Sequence, residues 1–494
     1  MRIDPACRLL RTAFALAALA VVAVLAGALA GSAALGAGAG ERARLAVISI
    51  DGLYPETYTD PAPRGLAIPN LLALARAGVA ADGVEGVFPS TTYPSHATLI
   101  TGARPARHGV TANSFFNPAK GSRDWYWFAS GLRVPTLPEV AHSAGYKVAS
   151  VQWPCLADAP YVDFRIPEIW AVEKGAQSSE LVRRFATPGL IERIEKRSGS
   201  PWTEDRFQWG KMDDRIVEAA ASLIELEKPE LLLVHIIEVD HELHAWGRDS
   251  EEGFRAIERA DRHLGQILDA LDHAGVREAT DVVVVSDHGF ASIHSVLHPN
   301  VILAELGLLE PPASAPVPAG ATASPPTGEV QSWRAVFHTS GSAGALYLRE
   351  PTDAPASEQA LRRFRELAEG RYRGLFEVLD RDTLAREGAF PGAEFGICAA
   401  IGYDLAGDYR GPFITASGSR GNHGYRPEWP EMHAAFVGAG PSFRKGLHVP
   451  LMRMIDVAPT LAHILGVELG EQAEGVAMVG LLEAKRGAVA GRTE

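Results

Sequence analysis

Short apolar runs that end in an aspartate recur along this sequence, and they constrain its fold more than any other feature. The runs lack helical periodicity, which predicts buried strands. They are LAVISI (45–50), LLLVHIIEV (231–239) and VVVV (282–285). Amphipathic stretches that predict helices lie between them, at residues 68–78, 212–227 and 254–275. Strands that alternate with helices favour a mostly parallel sheet covered on both faces, so we predict an α/β fold.

The bulk composition permits one large domain. The chain has 494 residues, of which 47% are hydrophobic and 22% charged, so it can bury a large core. We predict a single domain over residues 41–494, and interpret residues 171–211 as an insertion and the Pro/Ala-rich residues 311–328 as an exposed loop. The formal net charge of -13 gives no general electrostatic reason to expect nucleic-acid binding.

Residues 1–40 have the order of an export signal. Basic residues precede an apolar run at about 13–30, and small residues follow it. The run is also long enough for an uncleaved membrane anchor, which stays open as an alternative. Both interpretations predict an exported protein, periplasmic or extracellular. With three cysteines in all and Cys7 inside this segment, the mature chain could form one disulfide at most.

Acidic and imidazole side chains gather at the predicted strand ends. In open sheets of this kind, ligands bind beyond the carboxyl ends of the strands. An aspartate at any one of these positions is as typical of a helix cap or a turn as of a ligand site. Three such endings in one chain, with histidines nearby, suit a zinc site. The candidate residues are Asp51, Asp240, His241, His244, Asp287, His288 and, in a Gly-rich loop, His423.

The stretch FPSTTYPSHATLITG (88–102) places hydroxyls where an extended run gives way to a predicted helix. Hydroxyls at such a junction commonly cap the helix by accepting from its free N–H groups. Beside two divalent cations, however, such a hydroxyl could lose its proton and act as a nucleophile. The residues alone leave both interpretations open.

The motifs together resemble the nucleotide pyrophosphatase/phosphodiesterase family of the alkaline phosphatase superfamily. FPSTTYPSH is similar to the family's nucleophile motif, in which the threonine directly before the aromatic residue attacks, so the resemblance points to Thr92 and not Thr91. TGARPARHGVTAN is similar to the family's segment that ends in an asparagine, here Asn113, which donates to a phosphoryl oxygen. EVDHELHAWG, SDHGF and GNHGY follow in the family's order.

The resemblance implies an alkaline-phosphatase-like α/β/α sandwich with two Zn2+ ions as cofactors. One ion would be held by Asp51, Thr92, Asp287 and His288, and the other by Asp240, His244 and His423, whereas His241 would not be a ligand. The implied reaction is cleavage of a phosphodiester or pyrophosphate bond in a small-molecule or nucleotide substrate, through a covalent phosphothreonine.

Two further aromatic residues are candidates for substrate binding. Tyr93 follows the nucleophile, and Trp170 in PEIW resembles the tyrosine of the family's Pro-Asp-x-Tyr. Their faces could clamp a nucleobase by stacking. The alternative interpretation is that both are ordinary core aromatics.

Other activities compete with the phosphodiesterase interpretation. A sulfatase would need a Cys/Ser-x-Pro-x-Arg motif, which neither Cys155 nor Cys398 provides. A phosphomonoesterase would need a cationic partner for a dianionic phosphate, and Arg165 in DFRIPEIW is the candidate. An inactive binding protein on the same fold is disfavoured, because every implied ligand and the hydroxyl are present.

Val239 and Ser95 depart from the family's usual proline and asparagine. The physiological substrate and the oligomeric state stay open.

Overall fold

An eight-stranded sheet organises the chain. The computed structural model describes residues 42–117, 125–172, 175–311, 330 and 332–484. Ala43–Glu494 form one compact unit and Met1–Arg42 another. The predictions for residues 1–40 and for 312–328 therefore lie outside the described residues. Along the described ranges, no helix combines the length and apolar character that crossing a bilayer requires.

The strands are β1 (Arg44–Ile50), β2 (Val79–Ala81), β3 (Val84–Glu85), β4 (Val148–Val151), β5 (Phe164–Ile166), β6 (Leu231–Ile236), β7 (Thr280–Val285), β8 (Ala291–Leu297), β9 (Leu309–Glu310), β10 (Ser332–Trp333), β11 (Ala335–Ser340), β12 (Ala343–Leu348), β13 (Phe376–Leu379), β14 (Phe395–Ala399), β15 (Gly402–Leu405), β16 (Ile414–Ala416), β17 (Gly421–Asn422), β18 (Phe436–Ala439), β19 (Leu447–Val449) and β20 (Met452–Arg453). The helices are α1 (Glu56–Thr59), α2 (Pro69–Ala77), α3 (Thr92–Thr101), α4 (Pro105–His108), α5 (Leu137–Ser143), α6 (Ser178–Phe185), α7 (Leu190–Ser198), α8 (Met212–Glu227), α9 (Glu238–Trp246), α10 (Glu251–His273), α11 (Pro299–Glu305), α12 (Ala354–Glu369), α13 (Arg381–Glu387) and α14 (Val457–Leu465).

The main sheet has the order β19-β2-β18-β7-β1-β6-β4-β5. Strand β1 lies in its middle and runs parallel to both β6 and β7. Strand β18 runs antiparallel to its neighbours β7 and β2. Because β7, β1 and β6 are adjacent and parallel, the residues that follow them emerge side by side at one edge. The predicted mostly parallel α/β sheet is confirmed.

Helices cover both faces of this sheet. Alternate residues of β1 face opposite cores: Ile48 packs with helices α2, α8 and α10, whereas Val47 packs with α3, α5 and α14. This alternation follows from the two-residue period of a strand. The result is the α/β/α sandwich that the resemblance implied. Two further four-stranded sheets, β11-β12-β14-β13 and the group of β15, β8, β16 and β17, build a third core beside it.

Residues 171–211 pack onto the main core. Helices α6 and α7 contribute Val182, Leu190 and Ile194 to the same apolar cluster as Ile48, and Trp202 joins them. Whether this segment is an insertion relative to the family stays a prediction.

The predicted strand at 231–239 ends earlier than expected, and the early end determines where Asp240 and His244 lie. Strand β6 stops at Ile236, and helix α9 begins at Glu238, so Asp240 lies in the first turn of a helix rather than at the end of a strand. Since α9 is helical, Asp240 and His244 are one turn apart on the same face.

The first turns of α8 and α9 hold each other through two buried carboxylates. Asp213 accepts hydrogen bonds from the backbone N–H groups of Ile237 and Glu238 at 2.9 and 3.0 Å. Glu238 accepts in return from the N–H of Met212 at 2.9 Å. Each carboxylate thus satisfies free N–H groups at the start of the other helix. This reciprocal cap fixes where α9 begins.

We predict that Asp213→Ala lowers the free energy of unfolding by about 2 kcal/mol, because two buried N–H groups lose their acceptor. Chemical denaturation measures the change. The matched control is Asp214→Ala, which removes the neighbouring, exposed carboxylate with its hydrogen bond to His263 and should cost about 0.5 kcal/mol. Equal losses in the two variants would contradict the reciprocal cap.

Candidate active site

A cavity of about 510 Å³ opens at the carboxyl ends of β1 and β6. Asp51 reaches it from the residue after β1, and Asp240 and His244 from helix α9. Thr92, at the start of α3, and His423, after β17, complete the inner wall. Segments that the sequence analysis singled out therefore converge on one cavity, whereas Asp287 and His288 lie behind its wall, with His288 against Asp51.

Two clusters of ligand atoms lie at this cavity. The Asp51 group consists of Asp51, Asp287 and His288, and all three side chains are buried. Within it, His288 Nε2 lies 3.1 Å from Asp287 Oδ2 and 3.4 Å from Asp51 Oδ1. Within each group the candidate donor atoms lie no more than 4.8 Å apart, which is close enough to share one ion.

The second cluster, the Asp240 group, consists of Asp240, His244 and His423. The Nε2 atoms of His244 and His423 lie 3.3 and 3.5 Å from Asp240 Oδ1. The rings of His288 and His423 stack with their centroids 3.5 Å apart, so the two groups adjoin. This group has fewer carboxylates than the Asp51 group.

The candidate ligand histidines are oriented by backbone carbonyls. The Nδ1 atoms of His244, His288 and His423 lie 2.9–3.0 Å from the carbonyl oxygens of Gly421, Gly289 and Ser90, respectively. A carbonyl can only accept, so each Nδ1 carries the proton. In a neutral imidazole, Nε2 then presents its lone pair to the cluster, the arrangement usual for metal-bound histidines.

Buried polar atoms without a hydrogen-bond partner coincide with the proposed ligand atoms. Among the described residues they include Asp51 Oδ1, Asp240 Oδ1, Asp287 Oδ2 and His288 Nε2. Leaving such atoms unpaired in a protein interior is costly. A divalent cation on each group would satisfy them, so these residues fit metal ions.

The clustered charges shift several pKa values. Burial opposes a charge on His288, but Asp287 and Asp51 outweigh it and raise its pKa to about 9, a shift that a bound cation would oppose. Burial, together with the charges of Asp287 and Asp240, raises the pKa of Asp51 well above its ordinary value. Burial and the neighbouring His288 lower the pKa of His423 to about 3, so its imidazole stays neutral. Carboxylates crowded in this way repel one another, and bound cations would relieve that repulsion.

The two threonines of the opening stretch have different environments. Thr91 is the N-cap residue of α3, but its side chain accepts no bond from the helix and instead lies 3.3 Å from the Ser340 hydroxyl, fully buried. Thr92 is the first residue of α3 and lines the cavity. Helix capping therefore does not account for this pair of hydroxyls.

Asn113 lines the same cavity with its amide oriented. The Tyr93 backbone N–H donates to Asn113 Oδ1 at 3.0 Å. Because Oδ1 is engaged in this way, the amide NH2 group is the part that can donate to a substrate.

Aromatic residues form one side of the cavity. Trp125 contacts both Tyr93 and Trp170 edge to face, with ring centroids 5.3 and 4.7 Å apart. Tyr93 is completely buried, whereas Trp125 and Trp170 are partly exposed. The exposed aromatic surface is thus that of Trp125 and Trp170, and Tyr93 packs beneath them.

Arg165 does not reach the cavity. It belongs to β5, and its guanidinium donates to the carbonyl oxygens of Phe185 and Ala159. These backbone contacts hold the side chain at the base of α6. The candidate cation for a dianionic phosphate is therefore turned away from the other candidate residues.

Residues 171–211 contribute the outer wall of the cavity. Phe207 and Trp209 line it, and Trp209 is 51% exposed. The Trp209 indole stacks on His241 with centroids 4.0 Å apart and planes 8° from parallel. His241 lies outside both ligand groups, as the resemblance implied.

A buried layer beneath the candidate ligands was missed by sequence reasoning. His235, on β6, lies between Asp51 and Glu168, and His96, on α3, contacts Ser49 and the Thr92 carbonyl. Burial disfavours a charge on His235, but Glu168 and Asp51 outweigh it and hold its pKa well above the ordinary value. A histidine in the middle of the apolar run LLLVHII was the available signal, because buried polar residues need partners.

Known proteins with similar sequences belong to one family. The family model of type I phosphodiesterase / nucleotide pyrophosphatase matches residues 45–426. A pyrophosphatase/phosphodiesterase of Schizosaccharomyces pombe is 30% identical over 249 residues, which are 50% of this chain and 44% of that protein. Human ectonucleotide pyrophosphatase/phosphodiesterase family member 1 is 22% identical over 85% of this chain and 40% of its own length. This chain thus spans less than half the length of these two relatives.

Solved structures show the same fold. An inactive threonine-to-alanine variant of murine ectonucleotide pyrophosphatase/phosphodiesterase 5, in complex with AMP, aligns with a TM-score of 0.60 and 19% identity over 90% of this chain and 100% of that one. The human protein of the same name aligns with a TM-score of 0.60 over 89% of this chain. With the family model covering most of the sequence, the chain belongs to the type I phosphodiesterase / nucleotide pyrophosphatase family.

Proposed function

We propose that this chain is an exported, two-zinc phosphodiesterase or nucleotide pyrophosphatase that works through a covalent phosphothreonine at Thr92. The observation that carries the proposal is the convergence, at one cavity, of a helix-start hydroxyl, an oriented amide and two adjoining Asp/His groups. Export is proposed from the order of basic, apolar and small residues in 1–40.

The donor atoms favour zinc over harder cations. Three carboxylates and three imidazoles make up the two groups, and calcium or magnesium sites rarely use imidazole. Asp51, Asp287 and His288 would hold one ion together with Thr92, and Asp240, His244 and His423 the other. Bound there, divalent ions supply Lewis acidity, which lowers the pKa of a nearby hydroxyl and offsets charge on the attacking and leaving oxygens.

The chain's own groups divide the remaining work. Thr92 Oγ1 attacks phosphorus, the leaving oxygen departs, and the phosphoryl group is held on Thr92 until water releases it. Asn113 donates its amide N–H to a non-bridging oxygen, and the Tyr93 N–H holds that amide in place. The aromatic surface and the outer wall keep bulk water from one side of the cavity.

Charge at the site favours diesters over monoesters. Two bound divalent ions would bring four positive charges, which three aspartates and a deprotonated Thr92 would balance. Among the described residues that line the cavity there is no lysine or arginine to offset a second phosphate charge. A singly charged diester therefore meets less repulsion than a dianionic monoester.

Trp125 and Trp170 offer partly exposed rings on which a nucleobase can stack, which supports a nucleotide as one ester group.

We predict close to two equivalents of zinc per chain in protein purified without chelators, because the donor set combines imidazole with carboxylate. Elemental analysis measures the content. Removal by a chelator should abolish turnover, and added zinc should restore it. Stoichiometric calcium or manganese in place of zinc would contradict the assignment.

We predict that Thr92→Ala lowers kcat by at least about 10³-fold, because the proposed nucleophile is lost. Thr91→Ala is the matched control and should change kcat by less than about 10-fold, since its hydroxyl faces Ser340. Steady-state rates on a nitrophenyl ester of a nucleoside monophosphate measure both. Mass spectrometry after acid quench should find the nucleotidyl group on the peptide that contains Thr92. Equally small losses in the two variants would exclude Thr92 as the nucleophile.

The decisive test of the function compares a diester with a monoester. We predict a higher kcat/KM for the nitrophenyl ester of a nucleoside monophosphate than for nitrophenyl phosphate. Trp170→Ala should lower the diester value by about 10-fold, the scale of one lost stacking contact, and leave the monoester value nearly unchanged. A monoester preference in the wild type would instead identify a phosphomonoesterase.

A further inference from the structure

His235 is buried in the middle of the central sheet with a carboxylate against each ring nitrogen. It is 1% exposed, and it belongs to β6, the strand next to β1. Its Nε2 lies 3.1 Å from Asp51 Oδ2, and its Nδ1 lies 2.8 Å from Glu168 Oε2 and 3.1 Å from the Gln152 carbonyl. With both carboxyl groups ionised, every one of these partners can only accept, so both nitrogens donate.

The contacts continue from Glu168 to the nucleophile's helix. Glu168, which is 3% exposed, accepts through its other oxygen from the Tyr93 hydroxyl at 2.8 Å. Tyr93 follows Thr92 in the chain, and its backbone N–H donates to Asn113. A single buried network thus connects Asp51, the start of α3 and Asn113.

The two oxygens of Asp51 have different surroundings. Oδ2 accepts from His235, whereas Oδ1 is buried without a hydrogen-bond partner and faces His288 Nε2 at 3.4 Å. Occupying Oδ2 from behind holds the carboxylate plane and directs Oδ1 into the Asp51 group. Among the described residues, the hydrogen bonds of His235 go to Gln152, Glu168 and Asp51 and to no member of the Asp240 group.

We propose that His235 is a positioning residue that sets the orientation of Asp51 for its metal ion and, through Glu168 and Tyr93, the placement of Thr92 and Asn113. The inference rests on the proposed two-metal function. Outer contacts of this kind commonly change metal affinity by about 10–100-fold when they are lost.

The test measures metal retention and kinetics in His235→Gln. Both N–H bonds of a glutamine amide are on one nitrogen, which cannot reach two carboxylates that lie against different ring nitrogens of His235, so Asp51 or Glu168 loses its partner. We expect one of the two metal ions to be removed at a chelator concentration about 10–100-fold lower than in the wild type, with the second ion retained. We expect kcat to fall by a similar factor while KM stays within about threefold, because positioning acts on the transition state. His235→Ala should show a larger loss of the same ion.

His298→Gln is the matched control. His298 is also buried and also lies between two oxygen atoms, Thr415 Oγ1 at 2.8 Å and Asp408 Oδ2 at 2.9 Å, but it is outside the cavity. His298→Gln should lose about as much thermal stability as His235→Gln but keep both metal ions and the wild-type kcat. Wild-type metal retention and kcat in His235→Gln would overturn the inference, as would equal loss of both ions.

A double-mutant cycle tests the continuation through Glu168. Tyr93→Phe removes the hydroxyl and keeps the ring, and Glu168→Gln removes the charge at nearly constant volume. If the network acts as a unit, the second change adds little to the kcat loss of the first. Additive effects would overturn the coupling to Thr92.

The outcomes separate this inference from the proposed function. Metal retention is measured without substrate, so a wild type that binds two ions and cleaves no phosphodiester would refute the function while the retention test still decides the role of His235 toward Asp51. A wild type that binds no metal would overturn both.

Discussion

Three aspartate carboxylates at one edge of a parallel sheet, Asp51 and Asp287 buried and Asp240 partly buried, are the constraint on which the rest of this structure depends. Strands β7, β1 and β6 are neighbours, so the chain leaving each of them delivers Asp287, Asp51 and Asp240 to the same place. Burial raises the pKa of Asp51, and the charges of Asp287 and Asp240 raise it further. Imidazoles, backbone N–H groups and divalent ions have to compensate, since isolated buried charge is not stable.

Much of the surrounding structure can be understood as support for this arrangement. The Gly52 N–H donates to Asp287 Oδ1, and His235 donates to Asp51 Oδ2. The reciprocal cap between α8 and α9 fixes the turn that carries Asp240. The first two supports each leave one oxygen of the aspartate turned toward the cluster, so the fold orients these two carboxylates as well as collecting them.

Sequence reasoning could anticipate the fold and the convergence of these residues, for physical reasons. A continuous apolar run such as VVVV (282–285) is stable only when both faces are covered, which implies helices on each side. Parallel strands then bring Asp51 and Asp287 together whatever the intervening loops do. The roles expected of Thr92 and Asn113 came from the family's motifs rather than from periodicity.

Side-chain directions could not be anticipated in this way, because they depend on tertiary contacts. Arg165 sits next to the motif PEIW in sequence, yet the carbonyl of Phe185 in a later helix draws it away. Tyr93 is covered by Trp125, whose position no local pattern specifies. The early end of β6 depends on Asp213, more than twenty residues before it, which caps α9 at Glu238.

The backbone acceptors of the ligand histidines have a consequence for how this protein can change over evolution. Gly421, Gly289 and Ser90 hold His244, His288 and His423 through carbonyl oxygens, and a carbonyl is present whatever side chain a codon specifies. No single nucleotide substitution can delete these acceptors. A change of codon can still displace them, because a Cβ at Gly289 would meet the Glu431 carbonyl oxygen at 2.1 Å and one at Gly421 the Leu243 carbonyl oxygen at 2.5 Å. The orientations of His288 and His244 therefore tolerate any chemistry in the side chain that carries the acceptor, but not its size.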